Sequence, residues 1–498
     1  MSSPLTTTAV AIQPFTSHCH SPIPCASLTV TAPPGSSLLN VTGTERYNAT
    51  AAGAPADGVD ICDVKVYLTH GDAGDEVLIE VWLPLDDWNG RFQATGGGGF
   101  VPGLFDGVLP LEGLAGFGLG VADGYATACT DAGVNLEGDP SSWFNSTQLV
   151  NNFVYLSYHE TAVVGKQITA QFYGKQPMYS YFVGCSQGGR EGYSEAQRYP
   201  DDYDGIMAAA PGIFFDRVLP AMAWPLVVTN QVPGSASSCI LGAITTASVI
   251  ACDLLDGAAD GLIGDPRLCH FDAVSQVGER VDCDNSTITI TAEHAQVWNS
   301  IRKGISTKNG TELWYNRQPG ADFSAPISFP PATQWIQDFI VGDPSFDVDQ
   351  VTPGDMPGYY FESVAKNDMP WATDNPDLSA FKRAGGKLLT WHGWADEYVF
   401  PEGTVEYWER VADIFGEAET DEFYRVFMAP GVGHCLGGDG PAVTDALAVL
   451  VEWVENGNAP DTLPASGNGQ SRNICKHPKR LQYKGEGEAA DASSWTCV

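Results

Sequence analysis

The chain has 498 residues, 43% of them hydrophobic, which is enough for a large core and excludes a disordered or collagen-like chain. Its net charge of −36, from 25 basic against 61 acidic residues, argues against nucleic acid or an anionic membrane as partner. The acidic residues are scattered, so most of the charge reads as soluble surface.

The N-terminus, "MSSPLTTTAVAIQPF", lacks the basic start and apolar stretch of a signal peptide, and no apolar run reads as long enough to span a bilayer. Yet there are 12 cysteines, and Asn-x-Ser/Thr sequons fall at Asn40, Asn48, Asn145, Asn285 and Asn309. An even cysteine count with several sequons favours a secreted glycoprotein. A signal peptide is therefore expected to have been removed from this chain.

The first 60 residues read as extended, with "LLNVTG" a candidate strand. "CDVKVYLTH" and "DEVLIEVWLP" carry β-branched, partly alternating patterns and predict neighbouring strands. "GRFQATGGGGF" is a strand running into a glycine-rich turn, and "GYATACTDAG" a short strand with a polar exit. Residues 151–174 have helical spacing and stop at Gly174. "MYSYFVG" predicts a strand, "GREGYSEAQRYP" a helix and "YDGIMAAAPG" the next strand. The alternation lapses between about 213 and 375, then returns at "GGKLLTWHGWAD" and "EFYRVFMAPGVGHC", with an amphipathic helix at "DALAVLVEWVENG". Strand, helix and strand in alternation define an α/β class with a mostly parallel sheet. The expected domains are 1–212 with 376–498, interrupted by an insertion over 213–375 that covers the active site.

Gly184-Cys185-Ser186-Gln187-Gly188 fits G-x-S-x-G between a predicted strand and a predicted helix, the setting of a nucleophile elbow. The turn is so tight that the flanking residues must be small, hence Gly184 and Gly188. A serine nucleophile needs a base and the base an orienting acid, in the chain order Ser, Asp or Glu, His on this fold. Of the downstream histidines, His434 alone lies in a loop just after a late strand; His392, at a strand end, is the alternative base. Asp396 follows the strand "KLLTW" and is the expected acid, with Glu397 as fallback. Cys185 precedes Ser186 and Cys435 follows His434, so triad geometry brings the two thiols together. A Cys185–Cys435 disulfide is expected, which makes Cys185 structural and leaves Ser186 to attack. For the oxyanion, backbone N–H groups are expected from Gln187 and from the Gly96–Gly99 run, Gly98 first and Gly99 next.

At these residues the chain resembles the fungal tannase and feruloyl esterase family. The likeness rests on "GCSQGGREGYSEAQRYPDDYDGIMAAAPG", "WHGWAD", "GVGHC", "ATGGGGF", "CDLLDGAADGLIGDPRLC" and the tail "CKHPKRLQYKGEG" to "WTC". It implies a secreted serine esterase with an α/β-hydrolase fold, a large inserted lid domain and a disulfide joining the catalytic loops, and it puts nucleophile, acid and base at Ser186, Asp396 and His434. In the loop closed by Cys252 and Cys269, three hard carboxylates suit Ca²⁺. The resemblance implies a structural calcium held by Asp253, Asp256 and Asp260 with the carbonyls of Ala258 and Leu262. Resemblance and spacing suggest Cys25–Cys62, Cys252–Cys269 and Cys475–Cys497, and leave Cys239, Cys283, Cys19 and Cys129 open between Cys239–Cys283 with Cys19–Cys129 and other pairings. No organic cofactor is expected, and the partner is a small phenolic ester.

The likeness at the C-terminal half favours hydroxycinnamate esters, feruloyl or caffeoyl. Galloyl esters are the runner-up, and a terephthalate-type ester a further alternative. Trp224, Trp314, Trp335, Phe339, Tyr359 and Tyr360 are candidates for an aromatic slot in the lid.

Overall fold

The structure is a computed structural model and describes residues 23–50, 58–103, 117–232, 237–283, 286–324 and 328–498. Among the described residues nine strands form one sheet: β1 (Ser36–Ala49), β2 (Val59–His70), β3 (Val77–Pro84), β4 (Arg91–Thr95), β5 (Ala126–Thr130), β6 (Tyr179–Cys185), β7 (Gly205–Ala209), β8 (Lys387–Gly393) and β9 (Tyr424–Ala429). Their order across the sheet is β1-β2-β3-β5-β4-β6-β7-β8-β9. From β5 to β9 every pairing is parallel; β1, β2 and β3 add an antiparallel edge. Each predicted strand is present, and "LLNVTG" proves to be part of a longer β1.

The central strands are apolar on both faces, as a covered parallel sheet requires. In β6, Phe182 packs with Phe92, Tyr193 and Ile206 on one face, while its neighbours Tyr181 and Val183 pack with Met207, Leu389 and Trp453 on the other. That is the period-two alternation of a pleated strand. Helix Ser157–Tyr173, preceded by one wider π-type turn at Asn152–Leu156, covers the first face and ends on Gly174 in the left-handed region. The end of β2 is fastened to that helix by His70, whose Nδ1 lies 2.6 Å from Asp75 and whose Nε2 lies 3.0 Å from Glu160. Burial pulls the His70 pKa down, but the hydrogen bonds and charges of Glu160 and Asp75 outweigh it and raise it to about 9.

Between Ala209 and Lys387 no described strand joins this sheet. The intervening segment is mainly helical and has its own core around Trp298, Ile301, Phe323, Trp335 and Trp371. Phe100 and Trp143, from the loops after β4 and β5, pack into the same cluster. An apolar run long enough to span a bilayer, not expected from the sequence, is present in this segment. The helix Ser238–Cys252 with its continuation to Asp256 is, by length and composition alone, long and apolar enough to cross a membrane. Disulfides Cys239–Cys283 and Cys252–Cys269 sit at its two ends, Ile240, Leu241 and Ile244 face the core, and Ile250 and Leu254 are exposed.

Among the described residues five disulfides form: Cys25–Cys62, Cys185–Cys435, Cys239–Cys283, Cys252–Cys269 and Cys475–Cys497. Cys129 is a buried thiol without a disulfide among the described residues. The expected partner, Cys19, lies outside the described residues, as does the sequon at Asn285.

Candidate active site

Ser186 sits between the end of β6 and the helix Gln187–Arg198, with φ 62° and ψ −120°. A serine adopts this left-handed backbone only when its surroundings over-determine it. Here they do. The Ser186 N–H donates to the Ala209 carbonyl at 3.0 Å, and a Cβ on Gly184 would stand 2.4 Å from the Gly188 backbone. The elbow is thus closed by glycine on both sides, and the hydroxyl is lifted off the sheet at the start of a helix.

His434 follows β9 in the loop 430–438. Its Nε2 lies 2.9 Å from the Ser186 hydroxyl and its Nδ1 lies 2.7 Å from Oδ2 of Asp396, which follows β8. Asp396 is 1% exposed, and its Oδ1 accepts N–H groups from Tyr398 and Val399, both at 2.8 Å. Burial disfavours its charge, but the charge of His434 and hydrogen bonds from His392 and His434 outweigh burial and hold the carboxyl well below the usual range. Because Asp396 accepts, Nδ1 of His434 carries the hydrogen and Nε2 is left to take the serine proton. Glu397, the fallback acid, instead accepts the backbone N–H of His434 at 3.2 Å. Cys185 and Cys435 are bonded, with Cα atoms 6.0 Å apart, so the nucleophile and base are each next to one end of a covalent link.

The oxyanion side differs from expectation in one residue. The Gly98 N–H donates to the Val101 carbonyl at 2.9 Å, and the Val101 N–H returns to Gly98 at 3.0 Å. Gly98 is therefore not a free donor. The Gly99 N–H, and that of Gln187 at the first helical position, have no hydrogen-bond acceptor among the described residues. Gly99 has φ +60°, which favours glycine. The loop is fixed from beneath: the Gly188 N–H donates to the Gly97 carbonyl at 3.0 Å, and the Gly97 N–H donates to buried Glu191 at 3.2 Å.

Three of the aromatic candidates, Trp224, Trp335 and Tyr360, are buried in the lid core. Trp335 meets Phe215 and Trp371 edge-on and Phe339 at a tilt. The rings beside the base are Tyr398, edge-on to His434 at 5.8 Å, and Phe329, stacked on Tyr398 at 4.4 Å. Pro331 stands 3.4 Å from where a Gly99 Cβ would be, so this lid segment borders both base and oxyanion loop. Tyr398 had a signal in the sequence, two residues after the acid; Phe329 had none.

His434 acts as a base only when neutral. Its pKa is raised above 6.5: burial pulls it down, while the charge and hydrogen bond of Asp396, then the charge of Glu397, push it up further. The expected result is a kcat/KM that falls as pH drops through a value above 6.5. In Asp396→Asn that acid limb should move to lower pH, because the main opposing charge is gone. A pH–rate series on the two proteins measures both; an unmoved limb would rule out the Asp396–His434 pair as its origin.

The parallel sheet and the elbow after β6, with the acid after β8 and the base after β9, are those of a serine hydrolase of the α/β-hydrolase fold. The family model described as tannase and feruloyl esterase matches residues 62–498. The chain belongs to that family and is a carboxylic ester hydrolase. It is 39% identical to a probable feruloyl esterase of Arthroderma benhamiae, over 95% of this chain and 93% of that one. With feruloyl esterase B of Aspergillus niger the identity is 33%, over 88% and 87%. Among solved structures, it matches a tannin acyl hydrolase from Aspergillus niger with a TM-score of 0.82 at 27% identity, covering 93% and 92% of the chains. Feruloyl esterase B from Aspergillus oryzae matches with a TM-score of 0.81 at 28% identity, covering 95% and 99%.

Proposed function

We propose that this enzyme hydrolyses hydroxycinnamate esters, feruloyl or caffeoyl, through an acyl-enzyme on Ser186. The observation that carries the chemistry is the Ser186–His434–Asp396 chain of contacts at 2.9 and 2.7 Å. His434 Nε2 takes the hydroxyl proton as Ser186 Oγ bonds to the ester carbonyl carbon. The oxygen that becomes negative is met by the N–H groups of Gln187 and Gly99. Collapse breaks the bond to the alcohol, which leaves with the proton from His434. Water, deprotonated by the same base, then releases the acid and restores Ser186. Asp396 holds the His434 tautomer and offsets the imidazolium charge. Support for the acid portion comes from the feruloyl esterases above and from the Phe329–Tyr398 pair, whose faces suit a planar aromatic ring.

A galloyl ester is the second reading, favoured by the structural match to a tannin acyl hydrolase. Methyl ferulate and methyl gallate assayed in parallel separate the two. Cleavage of ferulate alone sustains the first reading, cleavage of gallate alone replaces it, and cleavage of neither removes both.

The lid loop is proposed to bind Ca²⁺. Asp256 is buried, and burial together with the charges of Asp260 and Asp253 lifts its carboxyl to about 6 against the pull of the Ala258 N–H. Arg472 pairs with Asp260, and Gln482 donates to the Asp256 carbonyl. Among the described residues no three His, Cys, Asp or Glu side chains stand close enough to hold a metal ion. Asp253, Asp256 and Asp260 with the Ala258 and Leu262 carbonyls would hold the ion, whose charge would offset the repulsion among the carboxylates, and such oxygen ligands suit calcium. Added Ca²⁺ is then expected to raise Tm, by an increment equivalent to about 2.7 kcal/mol at a hundredfold excess over Kd. Chelation should reverse the rise and Asp256→Asn should abolish it. Equal Tm values with calcium and with chelator would dismiss the site.

The disulfides fit an oxidising compartment. Secretion and glycosylation are part of the proposal, and Asn40, Asn48, Asn145 and Asn309 are all exposed.

A further inference from the structure

The carboxylate of Asp396 serves two imidazoles. On the side away from Ser186, His392 Nε2 lies 3.0 Å from Oδ2, the same oxygen that His434 Nδ1 meets at 2.7 Å. Nε2 of His392 also lies 2.8 Å from the Val399 carbonyl, and its Nδ1 lies 2.8 Å from the Thr404 hydroxyl. The ring has no exposed surface. Facing two acceptors, Nε2 must carry a hydrogen; a hydroxyl at Nδ1 can supply the complementary donor. His392 touches no reacting atom, so it is not the alternative base suggested by the sequence.

We infer that His392 is a positioning residue of the triad, which acts by holding Oδ2 of Asp396 in line with His434. The inference rests on the esterase reading of Ser186, Asp396 and His434. The backbone N–H groups of Tyr398 and Val399 fix only Oδ1. Without a second donor on Oδ2, the carboxylate is free to pivot about the Oδ1 bonds as His434 gains and loses its proton. With the donor, Oδ2 is pinned from both sides. The same N–H competes with His434 for the charge on Oδ2 and so tempers the basicity that Asp396 confers. The other ionisable groups facing Asp396 are Glu397, which accepts the His434 N–H, Tyr398, and Arg317 from the lid, which donates to the Glu397 carbonyl. Among the described residues, the side chains that meet Oδ2 are those of His392 and His434.

The test uses p-nitrophenyl acetate, an activated ester that makes no demand on a phenolic acid, with the full chain. His392→Leu removes the donor; His392→Gln keeps an N–H near the position of Nε2. His392→Leu is expected to lower kcat by ~10- to 100-fold, the scale of a misaligned catalytic group. KM should stay within about twofold, and the acid limb should move to higher pH as the full Asp396 charge falls on His434. His392→Gln should recover most of the rate. In an Asp396→Asn background, His392→Leu should change nothing further, because a residue acting through Asp396 has nothing left to act on. An equal fall in that background, or a folded His392→Leu protein with kcat and limb unchanged, overturns the inference. Should His392→Leu fail to fold, Thr404→Val replaces it: a smaller fall with the same limb shift supports the role, and an unchanged profile overturns it. Ser186→Ala run alongside separates the two layers, since activity surviving there refutes the triad itself.

Discussion

Ser186→Ala is expected to lower kcat on methyl ferulate by about 10⁵- to 10⁶-fold, the loss seen when a serine hydrolase keeps its fold but not its nucleophile. The protein should remain folded. The substitution removes one hydrogen bond to His434, worth about 1 kcal/mol, and leaves the left-handed backbone under the same restraint, since alanine and serine are equally strained at φ 62°. Alanine keeps the Ser186 N–H bond to Ala209 and the carbonyl contacts to Arg190 and Gly212. Adding His434→Ala should cost little more, because base and nucleophile act as a unit. Intact-mass analysis during turnover adds an independent reading: the wild-type enzyme should gain the mass of the acyl group and the alanine variant should not. Retention of more than a few per cent of wild-type kcat, with no acyl adduct in either protein, would remove Ser186 from the mechanism.

The parts legible in the sequence are those fixed by short-range rules. The glycines at 184 and 188 predict the elbow because the turn leaves no room for a Cβ, and the structure puts backbone 2.4 Å from that position on Gly184. The Cys185–Cys435 bond was legible by an indirect route: each cysteine is covalently next to a triad member, so the triad's own closeness carries them together. What was not legible depends on partners distant in sequence or on the exact path of a loop. Gly98 and Gly99 are indistinguishable as letters; a single bridge to Val101 engages the N–H of one and leaves that of the other. His392 stands out in the sequence as an alternative base, but its role depends on the side of Asp396 it occupies, and spacing along a strand end does not give that. The lid aromatics failed for a plainer reason. Large rings are most often core, and Trp224, Trp335 and Tyr360 are core, while Phe329 reaches the site only through the tertiary path of the lid.

The second large effect is expected from deleting the link between the catalytic loops, in a Cys185→Ala, Cys435→Ala double variant. The bond spans 250 residues of sequence. The chain-entropy model assigns a closure of that length about 5 kcal/mol, most of it by restricting the unfolded chain. Against a typical net stability of about 5–15 kcal/mol this is a severe loss, readable as a fall in Tm or in the urea midpoint. Stability alone does not test what the bond does for catalysis. The Cys252→Ala, Cys269→Ala pair supplies the comparison, since it opens a loop of 17 residues in the lid, worth about 3 kcal/mol by the same model, and touches neither Ser186 nor His434. Both variants should be assayed well below their midpoints. The lid pair should then keep its kcat, while the catalytic pair should lose about tenfold or more, because a nucleophile and base no longer tied together sample misaligned positions. Cys435 itself has φ 63°, a conformation the bond helps to hold, so the His434 loop is the part expected to relax. If both variants lose stability and neither loses kcat, the disulfide acts on the unfolded chain only, and the 2.9 Å contact between Ser186 and His434 is maintained by the sheet and the Asp396 carboxylate alone.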